Sequence, residues 1–123
     1  MLMENNITYY SLRHLDEIDD KEYSCEILQM FLRDTPLLLE EIREAVFCED
    51  WDMAHKKAHK LRSSVGLLQM QQLLELVDKV EFKAFKKTEL ETIKTDTSKV
   101  IELYAIIKPM IETELHKIKT VTV

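Results

Sequence analysis

Long stretches of this sequence place apolar residues three and four positions apart, and almost nothing in the chain interrupts them. That spacing is typical of one face of an α-helix. The 123 residues include only one glycine and two prolines, so tight turns are scarce. Four stretches of this kind follow one another with short polar links, and short links place consecutive helices antiparallel. The pattern predicts an all-α protein, an antiparallel up-and-down four-helix bundle with a short N-terminal capping helix.

Residues that suit helix ends set the predicted boundaries. Asp19 and Asp20 can cap the first long helix, which we expect to bend at Pro36 and to end near residue 47. Two separate helices on either side of Pro36 are the alternative. Asp50 can cap the second helix, which starts at residue 51 and ends at about 66. The third helix is predicted from about 71 to 86, and the fourth repeats its apolar positions from 93 to 118 through Pro109. A short helix or turn over residues 9–15 would cap one end.

The length of the chain limits the number of domains, and its net charge limits the kinds of partner. A chain of 123 residues suits one domain, so we expect a single domain over residues 1–123, with 1–8 flexible and the bundle at about 19–118. The net charge of −6 argues against nucleic acid as a partner. No apolar run approaches ~20 residues, which argues against membrane insertion. A single glycine excludes the glycine-rich loops that bind ATP or dinucleotides.

Two cysteines are too few for a disulfide framework. Cys25 and Cys48 both fall in helical patterns, which favours buried free thiols in a reducing compartment. The sequence shows no signal peptide. We therefore expect a cytoplasmic protein.

The second helix presents one histidine away from its apolar stripe. That stripe runs through residues 54, 58, 61, 65 and 68, so His59 faces water. His55 and Arg62 lie one turn away on either side and can share its surface. Gly66 lies two turns on and leaves the surface bare there. Positive charge surrounds the histidine in the sequence, from Lys56, Lys57, Lys60 and Arg62. A small anion carried on the imidazole suits this place, because a neutral imidazole keeps one lone pair free to attack phosphorus in line.

The run Ala58-His59-Lys60-Leu61-Arg62-Ser63-Ser64, followed by Gly66, resembles the histidine-containing phosphotransfer (HPt) domain of multistep phosphorelays. That family's pattern reads His-x-Leu-Lys-Gly-Ser on the second helix of an up-and-down four-helix bundle. Counting helix order and spacing, the resemblance covers roughly residues 9–118. It implies that His59 accepts a phosphoryl group from an aspartate of one receiver domain and passes it to an aspartate of another.

The resemblance also implies the roles of neighbouring residues and the partners. Arg62 takes the place of the family's lysine and, with Ser63, is expected to steady the phosphoryl group. The expected docking surface consists of His55, Lys56, Lys60 and Gly66. The partners implied are response-regulator receiver domains, with a hybrid histidine kinase as a further candidate. We expect a monomeric carrier with no ATP site and no cofactor or metal of its own, the magnesium ion belonging to the receiver.

Three positions depart from the family pattern. Ser63 stands where the family prefers glycine, and Gln69 stands where it often has a second glycine. Arg62 keeps the lysine's charge but replaces a point ammonium with a forked donor. These departures bear on the choice of partner, since none of them removes the nucleophile.

Three other interpretations of the same residues stay open. His59 can be an ordinary surface histidine of a helical bundle. The bundle can be an adaptor that docks a receiver or kinase without being phosphorylated. His55 and His59 are also spaced i, i+4, as two zinc ligands on one helix face would be, although the neighbouring lysines repel a cation.

Overall fold

A computed structural model gives the fold of residues 8–121, which form five helices. A short helix comes first and four long ones follow: α1 Arg13–Ile18, α2 Lys21–Phe47, α3 Trp51–Leu67, α4 Gln71–Lys86 and α5 Leu90–Val121. The long helices pack antiparallel, α2 against α3 and α5, and α4 against the same two. Each long helix therefore has its sequence neighbours as its spatial neighbours. The predicted up-and-down bundle with a short N-terminal helix is confirmed.

Side-chain caps start the first two long helices where the sequence predicts. The Asp20 carboxylate accepts a hydrogen bond from the Tyr23 amide at 3.0 Å, and the Asp50 carboxylate accepts one from the Met53 amide at 3.2 Å. Pro36 lies inside α2, which continues on both sides of it, so the alternative of two separate helices is wrong. Pro109 likewise lies inside α5.

The N-terminal element differs from the prediction in its position. Residues 8–12 have no regular structure, and the helix starts at Arg13. The reason is that the preceding backbone is held by other partners: the Ser11 amide donates to the Leu68 carbonyl, which lies between α3 and α4, at 3.0 Å. Tyr10 donates its hydroxyl to Glu114 of α5, and its partial burial, with that bond, raises the pKa of Tyr10. Leu15 is buried and closes this end of the bundle. The predicted flexible segment falls almost wholly on residues 1–7, which lie outside the described residues.

The core is formed by one apolar stripe from each long helix. The α3 stripe is completely buried, and its members are Ala54, Ala58, Leu61 and Val65. Within residues 8–121, no helix has both the length and the apolar character needed to cross a bilayer. The expectation of buried thiols is wrong for Cys48, which is exposed because it follows the last buried turn of α2, while Cys25 is half-buried.

Tyr104 offers a prediction about the stability of this core. Its ring packs edge-on against Phe31, with the centroids 5.6 Å apart, but its buried hydroxyl has no hydrogen-bond partner within residues 8–121. Tyr104→Phe keeps the ring and removes the unpaired hydroxyl. We expect the free energy of unfolding, measured by urea titration, to rise by about 1 kcal/mol. A fall would mean that the hydroxyl has a partner.

The same residue predicts a loss of stability in alkali. Burial, assisted by the nearby Glu112 carboxylate, raises the pKa of Tyr104 from 10.0 to about 12. As pH rises between these values the unfolded chain loses the proton and the folded chain keeps it, so stability present below pH 10 is lost. The Tyr104→Phe variant should lose less stability than the parent over that range.

Candidate functional site

His59 lies on the outer face of α3, with 66% of its side chain exposed. The position follows from the buried stripe of the same helix, because a helix that buries residues 58 and 61 must turn residue 59 outward. A partner protein can therefore reach the imidazole directly.

The ring of His59 is held by a carboxylate from the neighbouring helix. Its Nδ1 lies 2.7 Å from Oε2 of Glu81 in α4, and only 16% of the Glu81 side chain is exposed. A carboxylate can only accept, so a neutral His59 in this bond carries its proton on Nδ1. The lone pair is then on Nε2. The arrangement selects one tautomer and leaves one nitrogen free to act as a nucleophile.

An ion pair joins α3 to α4 next to this hydrogen bond. Arg62 Nε lies 2.7 Å from Asp78 Oδ1, with both side chains about half exposed. Arg62 and Asp78 line the same shallow cavity as Glu81, on the α4 side of α3. Arg62 is therefore anchored to α4.

His55 forms part of the wall between α3 and α4. Its ring centroid lies 4.8 Å from that of Phe85 and 6.1 Å from that of His59. Its Nδ1 is 3.9 Å from the Glu81 carboxylate, too far for a hydrogen bond, and has no hydrogen-bond partner among the described residues. About one third of the side chain is exposed, so His55 contributes an edge to the surface around His59.

The lysines are less concentrated around His59 than the sequence suggests. Lys56 and Lys60 are exposed. Lys57 instead lies 3.4 Å from Glu41 of α2, because it is displaced by roughly 160° around the helix from His59. The predicted cluster of positive charge around His59 is thus corrected in two ways: Lys57 faces α2, and α4 contributes two carboxylates.

Ser63 and Gly66 are exposed on α3 and differ in their surroundings. Ser63 lines a cavity of about 540 Å³ between α2 and α3, which we call the α2–α3 groove. Its walls include Met30, Leu37 and Lys60. Nothing lies within 4 Å of the position that a Cβ would take at Gly66, so that part of the surface is open. Gln69 has a φ of 51°, a conformation that favours glycine, which explains why the resemblance implies glycine there.

Metal ligation finds little geometric support in this region. Across residues 8–121, no group of three or more histidine, cysteine, aspartate or glutamate side chains is placed to hold a metal ion.

Fold and site together define a class of protein, the antiparallel helical bundles with an exposed histidine on the outer face of the second long helix. The chain matches the family model of the Hpt domain over residues 26–105, well over half of its length, and it belongs to that family. No curated protein and no solved structure matched the chain. Membership implies a phosphotransfer role in phosphorelay signalling. Hpt domains are phosphocarriers that interact with receiver domains, and they are not catalytic kinases.

Proposed function

We propose that His59 is the phosphorylated residue of this Hpt domain, accepting a phosphoryl group from an aspartyl phosphate of one receiver domain and passing it to an aspartate of another. The observation that carries the proposal is the hydrogen bond between His59 Nδ1 and Glu81 on an otherwise exposed ring. It leaves Nε2 as the one unprotonated nitrogen, directed away from the carboxylate and open to a partner.

The transfer needs no proton to move on this chain. The Nε2 lone pair attacks phosphorus in line, the N–P bond forms, and the P–O bond to the donor aspartate breaks with its electron pair on the carboxylate. The ring keeps its Nδ1 proton and becomes cationic. Glu81 offsets that charge, because its carboxylate already accepts the Nδ1 proton at 2.7 Å. In the second transfer the N–P bond breaks and the ring returns to its neutral form.

Residues on both sides of His59 are suited to the phosphoryl oxygens. Arg62 supplies guanidinium donors from its anchored position beside Asp78. Ser63 supplies an exposed hydroxyl. We assign Arg62 and Ser63 to the phosphoryl group, and His55, Lys56, Lys60 and Gly66 to the docking surface. No residue of this chain is assigned to the expected magnesium ion, which belongs to the receiver.

The α2–α3 groove gives the docking surface an apolar component. Leu37 is 65% exposed and Met30 is 42% exposed on its α2 wall, while Lys60 and Ser63 line its α3 wall. Exposed apolar side chains beside a reactive group are typical of a contact that excludes water. The carrier would act as a monomer in the cytoplasm, between receivers or next to a hybrid kinase.

A phosphotransfer assay tests the proposal. Purified receiver domains from the source organism are phosphorylated with labelled acetyl phosphate, freed of the reagent and mixed with this protein. We expect label to move to this chain and to be labile in acid and stable in base, as a phosphoramidate is. Binding to a receiver without labelling would favour the adaptor interpretation.

Gly66 predicts an effect on docking that is separate from stability. Gly66→Leu adds a bulky side chain to open surface without a clash, so helix α3 should be at least as stable. We expect transfer from a phosphorylated receiver to slow by about tenfold, since the leucine obstructs an interface centred on His59. Gly66→Ala is the matched control and should transfer at close to the parent rate. Equal rates for all three proteins would remove Gly66 from the docking surface.

A further inference from the structure

Two exposed phenylalanines lie on α4 next to the histidine site. Phe82 is 56% exposed and Phe85 is 59% exposed, although α4 buries a complete apolar stripe elsewhere. When a partner covers an exposed aromatic ring, the ring is removed from water, and this favours binding. We call these two residues the α4 aromatic pair.

The pair is continuous with the site. Phe82 and Phe85 line the same cavity as Glu81 and Arg62, and the Phe85 ring also packs against His55. By contrast, Phe47, another exposed phenylalanine, lies at the end of α2 and lines a groove with α5. The α4 aromatic pair therefore extends the His59 surface away from the α2–α3 groove, on the other side of α3.

The acidic residues beside the α4 aromatic pair already have partners, whereas the two lysines on its outer side form no salt bridge among the described residues. The carboxylates on its inner side are already engaged, Asp78 with Arg62 and Glu81 with His59. On its outer side Lys86 places its ammonium 5.5 Å above the Phe85 ring, and Lys79 lies one turn before Phe82. Neither lysine forms a salt bridge within residues 8–121. In a chain of net charge −6, this edge offers positive charge beside apolar rings.

A protein interface of ordinary size, centred on His59, is wide enough to include the α4 aromatic pair. A standard interface covers about 800 Å² on each protein, a disc of roughly 16 Å radius. Packed helices lie about 8–10 Å apart, so a disc centred on His59 extends over the neighbouring helix on either side. A receiver interface centred on His59 would therefore extend over the outer face of α4 as well as α3.

We propose that the α4 aromatic pair anchors the receiver domain, which meets it with apolar side chains edged by carboxylates. The inference rests on the proposed function and adds to it a binding determinant on α4. Aromatic residues in the centre of an interface commonly dominate its affinity, whereas rim charges mainly affect the association rate. Phe82 should thus set how tightly a receiver binds, and Lys86 should set how strongly binding depends on salt.

Phe82→Ala in the full chain tests the proposal, because the exposed ring can be removed without opening the core. Transfer is measured over a range of concentrations of the phosphorylated receiver domain used above. We expect the half-saturating receiver concentration to rise at least tenfold while the maximal rate changes less than twofold. Labelling of His59 by potassium phosphoramidate, a donor too small to need docking, should be unchanged.

One matched control and one variant of the α2–α3 groove test where the receiver makes contact. Phe47→Ala removes a ring that is 75% exposed and also lies under a lysine, and it should behave like the parent. Leu37→Ala tests the α2–α3 groove on the other side of His59. A normal half-saturating concentration for Phe82→Ala, with a raised one for Leu37→Ala, would overturn the proposal and place the receiver over α2 alone.

The remaining outcomes separate this inference from the proposed function. If the parent protein is labelled by a receiver and Phe82→Ala is equally good, the function stands and the anchor is wrong. If no receiver labels the parent, both fail. The alternative occupant of the α4 aromatic pair is a second copy of this chain, which sedimentation of the parent and of Phe82→Ala tests. A parent dimer that dissociates in the variant would overturn the proposal.

Discussion

Replacing His59 with glutamine should abolish phosphorylation of this protein by a receiver domain. Glutamine retains polarity and size but has no lone pair capable of forming an N–P bond, so label on the variant should fall below about 1% of the parent level. The side chain is 66% exposed, so the bundle should keep its stability. The measurement is transfer of labelled phosphate, with thermal unfolding followed by circular dichroism to verify the fold.

His55→Gln is the matched control for this experiment. It removes a second imidazole from the same helix face, one turn away, and leaves His59 and Glu81 in place. We expect this variant to keep most of the labelling. Retained label on His59→Gln, or its loss only on His55→Gln, would assign the phosphoryl group to another residue.

Removing the carboxylate of Glu81 should give the second largest effect. Glu81→Ala deletes the acceptor that fixes the proton on His59 Nδ1 and offsets the cationic ring. A hydrogen bond to a charged group contributes about 2 kcal/mol, which corresponds to roughly a thirtyfold loss of transfer rate. Glu81→Gln keeps an acceptor without the charge and should lose less than Glu81→Ala. Glu75→Gln, an exposed glutamate of the same helix, serves as the control and should transfer normally.

A spectroscopic readout separates positioning from a general loss of structure. The ¹⁵N chemical shifts of the His59 ring report which nitrogen carries the proton. The parent should show a protonated Nδ1, and Glu81→Ala should shift the neutral ring towards the tautomer protonated at Nε2. Unchanged ring shifts together with an unchanged transfer rate would exclude Glu81 from the mechanism.

The helices could be predicted from the sequence because each signal is local. The spacing of Ala54, Ala58, Leu61 and Val65 determines which face of α3 is buried, and that alone turns His59 outward. Asp20 and Asp50 cap helices through amides three residues further on. The start of α1 could not be predicted in the same way, because it depends on a backbone hydrogen bond from Ser11 to Leu68.

The partners of the site residues could not be predicted, because they come from another helix. Glu81 lies 22 residues after His59, and Asp78 reaches Arg62 only through the register of α4 against α3. No periodicity within either helix encodes that register. The sequence therefore identifies His59 and the neighbouring Arg62. The carboxylates that contact them are brought into place only when α4 packs against α3. Lys57 shows the converse error, since proximity in sequence placed it beside His59 and the helix turns it towards α2.

The central claim is that Nε2 of His59 carries the phosphoryl group. Phosphorus and nitrogen NMR of the ¹⁵N-labelled protein, after incubation with a phosphorylated receiver, tests this most directly. The account predicts one phosphoramidate signal, with ³¹P–¹⁵N coupling to Nε2 of His59 and a proton on Nδ1. Phosphorus bonded to Nδ1 of His59, to another residue, or to no residue of a protein that nevertheless binds the receiver would contradict it.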